Sequence, residues 1–95
     1  QILVVVQDHY GIKLKQLLSQ SKERSITLPR HVAMALAREL THLSLTQIGL
    51  HFGRRDHATV LYALRRIEKL RRAEPVFQAT LVALRNRIVS GAPPS

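Results

Sequence analysis

The sequence predicts an all-α fold: a compact helical bundle containing a helix-turn-helix motif, with a basic loop ahead of it. Three observations carry this expectation. The interior must be aliphatic, because the 95 residues hold no Trp and only Tyr10, Phe52, Tyr62 and Phe77 as aromatics. Apolar residues recur at i, i+3, i+4, i+7 in several stretches, the period of a helix with one buried face. Only Leu3-Val4-Val5-Val6 prefers a strand by propensity, and no second strand candidate exists to pair with it.

Taken in order, Ile2 to Tyr10 is expected as a helix, with Gly11 as its stop. Lys13 to Ser19 follows as a short helix with Leu14, Leu17 and Leu18 inward. Ser19 to Thr27 reads as a polar, basic loop. Pro29 is expected in the first turn of the next helix, where its missing N–H is harmless. Ala33, Leu36, Ala37 and Leu40 form that helix's buried stripe, and Arg30, His31 and Arg38 its polar face. Thr41-His42-Leu43 is a turn. Ser44 and Gln47 have the spacing of a capping box. The short helix they open turns Leu45, Ile48 and Phe52 inward, and Gly49 allows a neighbouring helix to approach. Gly53 ends it. Asp56 is an N-cap that accepts from the N–H of Ala58 or Thr59. Val60, Ala63, Leu64 and Ile67 are the buried stripe of the helix that follows. His57, Ala58, Leu61 and Arg65 lie on its other side. Glu74-Pro75 opens a last helix, with Phe77, Leu81, Leu84 and Ile88 inward and Ser90-Gly91 at its end. One domain is expected over residues 1–90, with 91–95 as a mobile tail. The chain lacks an initiator Met and is expected to be a fragment of something longer.

The net charge is +9, from 15 Lys and Arg against 6 Asp and Glu. That balance suits a polyanionic partner, nucleic acid or an acidic membrane surface. Most of the cations are Arg, which forks over phosphate and guanine as Lys does not. With no cysteine, disulfide and zinc-finger chemistry are excluded. The five His residues show no metal-ligand pattern, and no metal site is expected. No nucleophile–base–orienter triad is legible, so no enzyme is expected. No apolar run approaches the roughly 20 residues of a transmembrane helix.

The densest signal is Ile48-Gly49-Leu50-His51-Phe52-Gly53-Arg54-Arg55-Asp56-His57-Ala58-Thr59-Val60-Leu61. It closes one helix, turns on a glycine and opens a second helix on hydrogen-bonding side chains. In a helix-turn-helix the N-terminal residues of the second helix reach base edges. Asp56 can accept from cytosine amino groups, His57 can bond a purine acceptor, and Ala58 offers a methyl to thymine. Thr59 and the amides of the helix start suit phosphate. Each has a plainer role as well. Asp56 serves equally as a simple cap, and His57 as a solvated first-turn residue. Arg65, Arg66, Lys69, Arg71 and Arg72 read as a solvated face with long-range attraction. Arg85 and Arg87 lie far from the motif.

This run resembles the C-terminal DNA-binding domain of the bacterial replication initiator family DnaA. So do Pro29-Arg30-His31-Val32-Ala33-Met34-Ala35-Leu36-Ala37-Arg38-Glu39-Leu40-Thr41 and Ser44-Leu45-Thr46-Gln47-Ile48-Gly49. The resemblance covers about Ile2 to Ile88. It implies binding to DnaA boxes in double-stranded DNA at the replication origin. By position, it implies base reading by Asp56, His57 and Ala58 in the major groove and by Lys22 in the minor groove. It implies backbone contacts by Arg30, His31, Arg38, Leu45, Thr46, Thr59 and Leu61, with Arg24 and Arg55 counted beside them. Some family members have Thr at Ala58, Arg at Lys22 and Pro at Thr46. Arg24, two residues from Lys22, is an alternative for the minor groove. The family's ATPase module is absent here, since no G-x-x-x-x-G-K-[ST] loop occurs. ATP would bind that module, so no cofactor is expected in this chain. The expected setting is the cytoplasm, on the nucleoid, as a monomer joined to the rest of the initiator. An acidic phospholipid contact is expected near the first helix. The rival expectations are a helix-turn-helix transcription regulator, or a basic amphipathic module for RNA or acidic membranes.

Overall fold

A computed structural model describes residues 1–53 and 55–91. Arg54 and residues 92–95, which include most of the expected tail, lie outside the described residues. Six helices occur among the described residues: α1 (Ile2–Tyr10), α2 (Leu14–Leu17), α3 (Arg24–Leu40), α4 (Leu45–His51), α5 (His57–Ala73) and α6 (Pro75–Ser90). Helix α3 is the centre, packing on α1, α2, α4 and α5. Helix α5 also meets α4 and α6, and α6 closes back on α1. One aliphatic core joins them, with Val5, Val6, Leu17, Val32, Met34, Ile48, Val60, Ala63 and Leu84 essentially inaccessible. The radius of gyration, 12.3 Å, is what a single compact unit of this length should show.

Local chemistry sets most of the boundaries. Gly11 and Gly91 end α1 and α6 in the left-handed conformation. At α4 the Ser44 hydroxyl accepts from the Gln47 amide at 3.1 Å, and the Gln47 side chain accepts from the Ser44 amide at 2.8 Å. That reciprocal box satisfies two orphan donors of a helix only 7 residues long. Two ion pairs pin α6 from outside, Arg85 to Glu39 on α3 and Arg87 to Asp8 on α1.

The structure corrects the sequence in four places. Helix α3 starts at Arg24, so residues 24–27 belong to it and the loop is shorter than expected. The reason is Ile26, which is buried and extends the inward stripe by more than a turn. Pro29 therefore lies inside the helix, not in its first turn. It cannot donate to the Ser25 carbonyl, but Ser25 is exposed and water can take that acceptor. Leu14 is exposed, because α2 is a single turn, whereas Leu17 enters the core and Leu18, just past the helix, packs half-buried against it. Arg30 and His31 are buried, not on an exposed polar face with Arg38.

Gly49 does permit a close approach, but mainly of backbone. The Arg55 amide donates to the Gly49 carbonyl at 2.8 Å. A Cβ on Gly49 would fall on the Arg55 carbonyl, with the Val60 side chain 3.4 Å away. The turn between α4 and α5 is thus laid directly against α4. Gly49→Ala is expected to destabilise the fold by about 1–3 kcal/mol through overpacking, read as a lower urea midpoint. An unchanged midpoint would mean that the turn can retreat without loss.

Candidate nucleic-acid interface

The first turn of α5 is built by one carboxylate. Asp56 is extended (φ −80, ψ 171) and caps the helix by accepting from the Thr59 amide at 2.8 Å. Hydrogen bonds from the Thr59 amide and hydroxyl hold the Asp56 carboxyl below its ordinary range. Of the two donors weighed from sequence, the structure selects Thr59. His57, Ala58 and Thr59 are all exposed on this turn, and Leu61 is half-buried beside them. The helix is 17 residues long, so its dipole directs positive potential at whatever faces this end.

The basic loop between α2 and α3 is stitched to the helix-turn-helix. Arg30 gathers two of its carbonyls and the last one of α2. Arg30 Nε donates to the Leu17 carbonyl at 2.9 Å, one terminal nitrogen to Ser21 at 3.0 Å and the other to Ser19 at 2.7 Å. Arg30 is only 3% exposed. Burial, and then the neighbouring Arg55, lower its pKa to about 10, so it stays charged at neutral pH. Arg55 reaches from the turn before α5 to the same Ser19 carbonyl and to the carbonyl of Phe52. Gln20 adds a bond to the Gly53 carbonyl at 3.3 Å. Gly53 itself has φ 84, and a Cβ there would strike the Leu18 carbonyl.

These contacts sort the expected site residues into two groups. Lys22 and Arg24 are exposed, one in the loop and one at the start of α3. Arg38 and Thr46 are exposed and Leu45 half-buried where α3 passes to α4, with Arg38 donating to the Leu43 carbonyl at 3.2 Å. Arg30, His31 and Arg55 were expected to be displayed; instead both guanidiniums end on carbonyls and His31 Nδ1 on Arg66. Sequence reasoning missed that both arginines end on carbonyls of the segment 17–21, 9 to 36 residues away, with Phe52 as a second, local partner of Arg55.

His31 is packed among cations. Its Nδ1 lies 3.1 Å from an Arg66 nitrogen, and its ring meets Tyr62 edge-on. A guanidinium can only donate, so Nδ1 accepts and the ring proton sits on Nε2. Burial first, then Arg66, Arg30 and Arg55, lower the His31 pKa to about 4. Arg66 also donates to the Thr27 hydroxyl, which joins α5 to α3 at this point.

The family description "Bacterial dnaA protein helix-turn-helix" matches residues 1–67. This chain belongs to that DnaA family. It is 48% identical over 81 residues to the chromosomal replication initiator protein DnaA of Caulobacter sp. (strain K31), covering 85% of this chain and 17% of that protein. It is 41% identical over 87 residues to DnaA of Treponema pallidum (strain Nichols), covering 92% and 19%. It is 42% identical over 85 residues to DnaA of Thermus thermophilus, covering 90% and 20%. The chain thus spans no more than a fifth of these DnaA proteins. A crystal structure of a DNA replication initiation factor superposes with a TM-score of 0.82 at 30% identity, over 92% of this chain and 26% of that one. The all-α DnaA helix-turn-helix fold is therefore established.

Two outcomes follow from the buried cations. Arg30→Lys leaves one nitrogen for three carbonyls and is expected to cost about 2–4 kcal/mol in urea unfolding. Wild-type stability in that variant would show that the loop carbonyls find water instead. For His31, the folded ring stays neutral down to about pH 4, whereas the unfolded ring takes up a proton near 6.5. The unfolded state thus binds the extra proton in that window, and stability falls as pH drops through it. His31 should account for about 1–2 kcal/mol lost between pH 7 and 5. Comparing urea midpoints of the chain and of His31→Gln at both pH values checks this. Equal losses would acquit His31.

Proposed function

We propose that this chain binds double-stranded DNA sequence-specifically, as the origin-recognition module of a DnaA-type replication initiator, and that its targets are DnaA boxes. The observation that carries this reading is the stitching of the basic loop onto the turn before α5 through Arg30, Arg55 and Gln20. Two exposed reading elements are thereby held at a fixed spacing. One is the first turn of α5 and the other is the loop carrying Lys22.

In this arrangement α5 enters the major groove on its N-terminus. Asp56 keeps one carboxylate oxygen on the Thr59 amide and offers the other to a cytosine amino group. His57 bonds a purine acceptor, and the Ala58 methyl packs on thymine. Lys22 reaches the adjacent minor groove. Arg24, Arg38, Leu45, Thr46, Thr59 and Leu61 follow the phosphate backbone. Arg30, His31 and Arg55 act one step back, by holding the loop and α5 in register. The chain catalyses nothing in this scheme, and ATP binding falls to the rest of the initiator. The setting is the cytoplasm, on the nucleoid. No described helix is long and apolar enough to cross a membrane.

A fluorescence-anisotropy titration at moderate salt tests the proposal. A duplex with a DnaA box should bind about 10³-fold or more tightly than a scrambled duplex. His57→Ala should lose about 1–3 kcal/mol on the box alone, whereas Arg38→Ala should weaken both duplexes evenly. Equal binding to both duplexes would overturn sequence-specific recognition and leave a basic helical module, to be tried on RNA and acidic vesicles.

A further inference from the structure

A groove of 780 Å³ opens between α3, α5 and α6, on the later turns of α5. Its floor is apolar, formed by Ala35, Leu36, Leu64, Ile67 and Leu81. Leu36 and Ile67 are sealed below, but Ala35, Leu64 and Leu81 remain partly open. Its rim carries Arg38, Arg65 and Lys69, all exposed.

The acids on this rim are already paired. Glu68 is held by Arg71 at 2.7 Å and Arg72 at 2.6 Å, and Glu39 by Arg85 from α6. Arg65 and Lys69 form no ion pair among the described residues. The rim is therefore positive around an apolar floor. We propose that this groove docks an acidic amphipathic helix of a protein partner.

The two surface properties fix the class of occupant together. A nucleic-acid backbone would use the cations but gain nothing from the floor. A neutral apolar segment would use the floor but not the cations. A helix with leucines on one face and glutamates along its edge uses both. Arg65 and Lys69 are four residues apart on α5, about 6 Å along its axis. That is also the spacing of glutamates at i and i+4 on a partner helix, so the two rows can run side by side. The inference does not depend on DNA binding at the other end of α5.

A fluorescein-labelled synthetic helix of Leu and Glu in amphipathic order is the probe, with a scrambled peptide of equal composition as control. The ordered peptide should bind this chain at least about tenfold more tightly than the scrambled one. Arg65→Glu with Lys69→Glu should weaken it by about tenfold or more. Ala35→Trp, which fills the floor and leaves the charges, should weaken it comparably, with circular dichroism confirming that each variant stays helical. Equal binding of the two peptides would reduce the effect to net charge and overturn the proposal. So would ordered binding that neither variant disturbs. Amide shifts in Leu64, Lys69 and Leu81 caused by a short duplex but not by the peptide would assign the groove to nucleic acid, and would also overturn it.

Discussion

The Ser19 carbonyl is the point on which the site depends. A loop that turns carbonyls inward must find donors there, since an unmet buried acceptor costs about 1–3 kcal/mol. Arg30 comes from the middle of α3 and Arg55 from the turn before α5, and both end on this oxygen. Two guanidiniums converge where charge repulsion alone would separate them. Carbonyl dipoles from Leu17, Ser19, Ser21 and Phe52 offset that repulsion. The loop, the turn and α3 consequently behave as one piece. Gly49 and Gly53 complete it by omission, since a side chain at either would push the turn away.

The same convergence explains the state of His31. Its neighbours Arg66, Arg30 and Arg55 are all cations, and its ring is buried. A further positive charge beside these three would be repelled by each of them. The ring is therefore held neutral and serves Arg66 as an acceptor, while Tyr62 packs against it at right angles. A residue that looks like one more basic contact in the sequence is, in the fold, the part of the cluster that carries no charge.

What was legible in the sequence is what local chemistry decides. Ser44 with Gln47, Asp56 before His57, and Gly11, Gly53 and Gly91 after their helices each act within four residues. The stripe Val60, Ala63, Ile67 is set by helical period alone. The exposed first turn of α5, with His57 and Ala58, follows from the cap and that stripe. What escaped was non-local. Pro29 suggests a helix start because its ring forbids an interior hydrogen bond, yet burial of Ile26 stabilises an extra turn of helix ahead of it. Arg30 scores as surface because periodicity counts residue type and cannot see three carbonyls arriving from another segment. Arg55 escaped for the same reason, its partner lying 36 residues away.

The net charge of +9 consequently overstates what the chain presents to a partner. Arg30 and Arg55 are committed to carbonyls, Arg66 to His31 and Thr27, and Arg71, Arg72, Arg85 and Arg87 to carboxylates. Lys22, Arg24, Arg65 and Lys69 form no such pair among the described residues. Lys22 and Arg24 lie at the basic loop and the start of α3, Arg65 and Lys69 on the rim of the groove on α5's later turns, and Lys13 and Lys15, also exposed, at α2. Composition indicated one basic surface, whereas pairing within the fold leaves two of its free cation groups beside different chemistry, with Arg38 lying between them at the groove rim. One borders a helix start with hydrogen-bonding side chains, and the other borders an apolar floor. Charge draws a polyanion to either, but the chemistry beside the charge differs, hydrogen-bonding side chains at one and apolar side chains at the other.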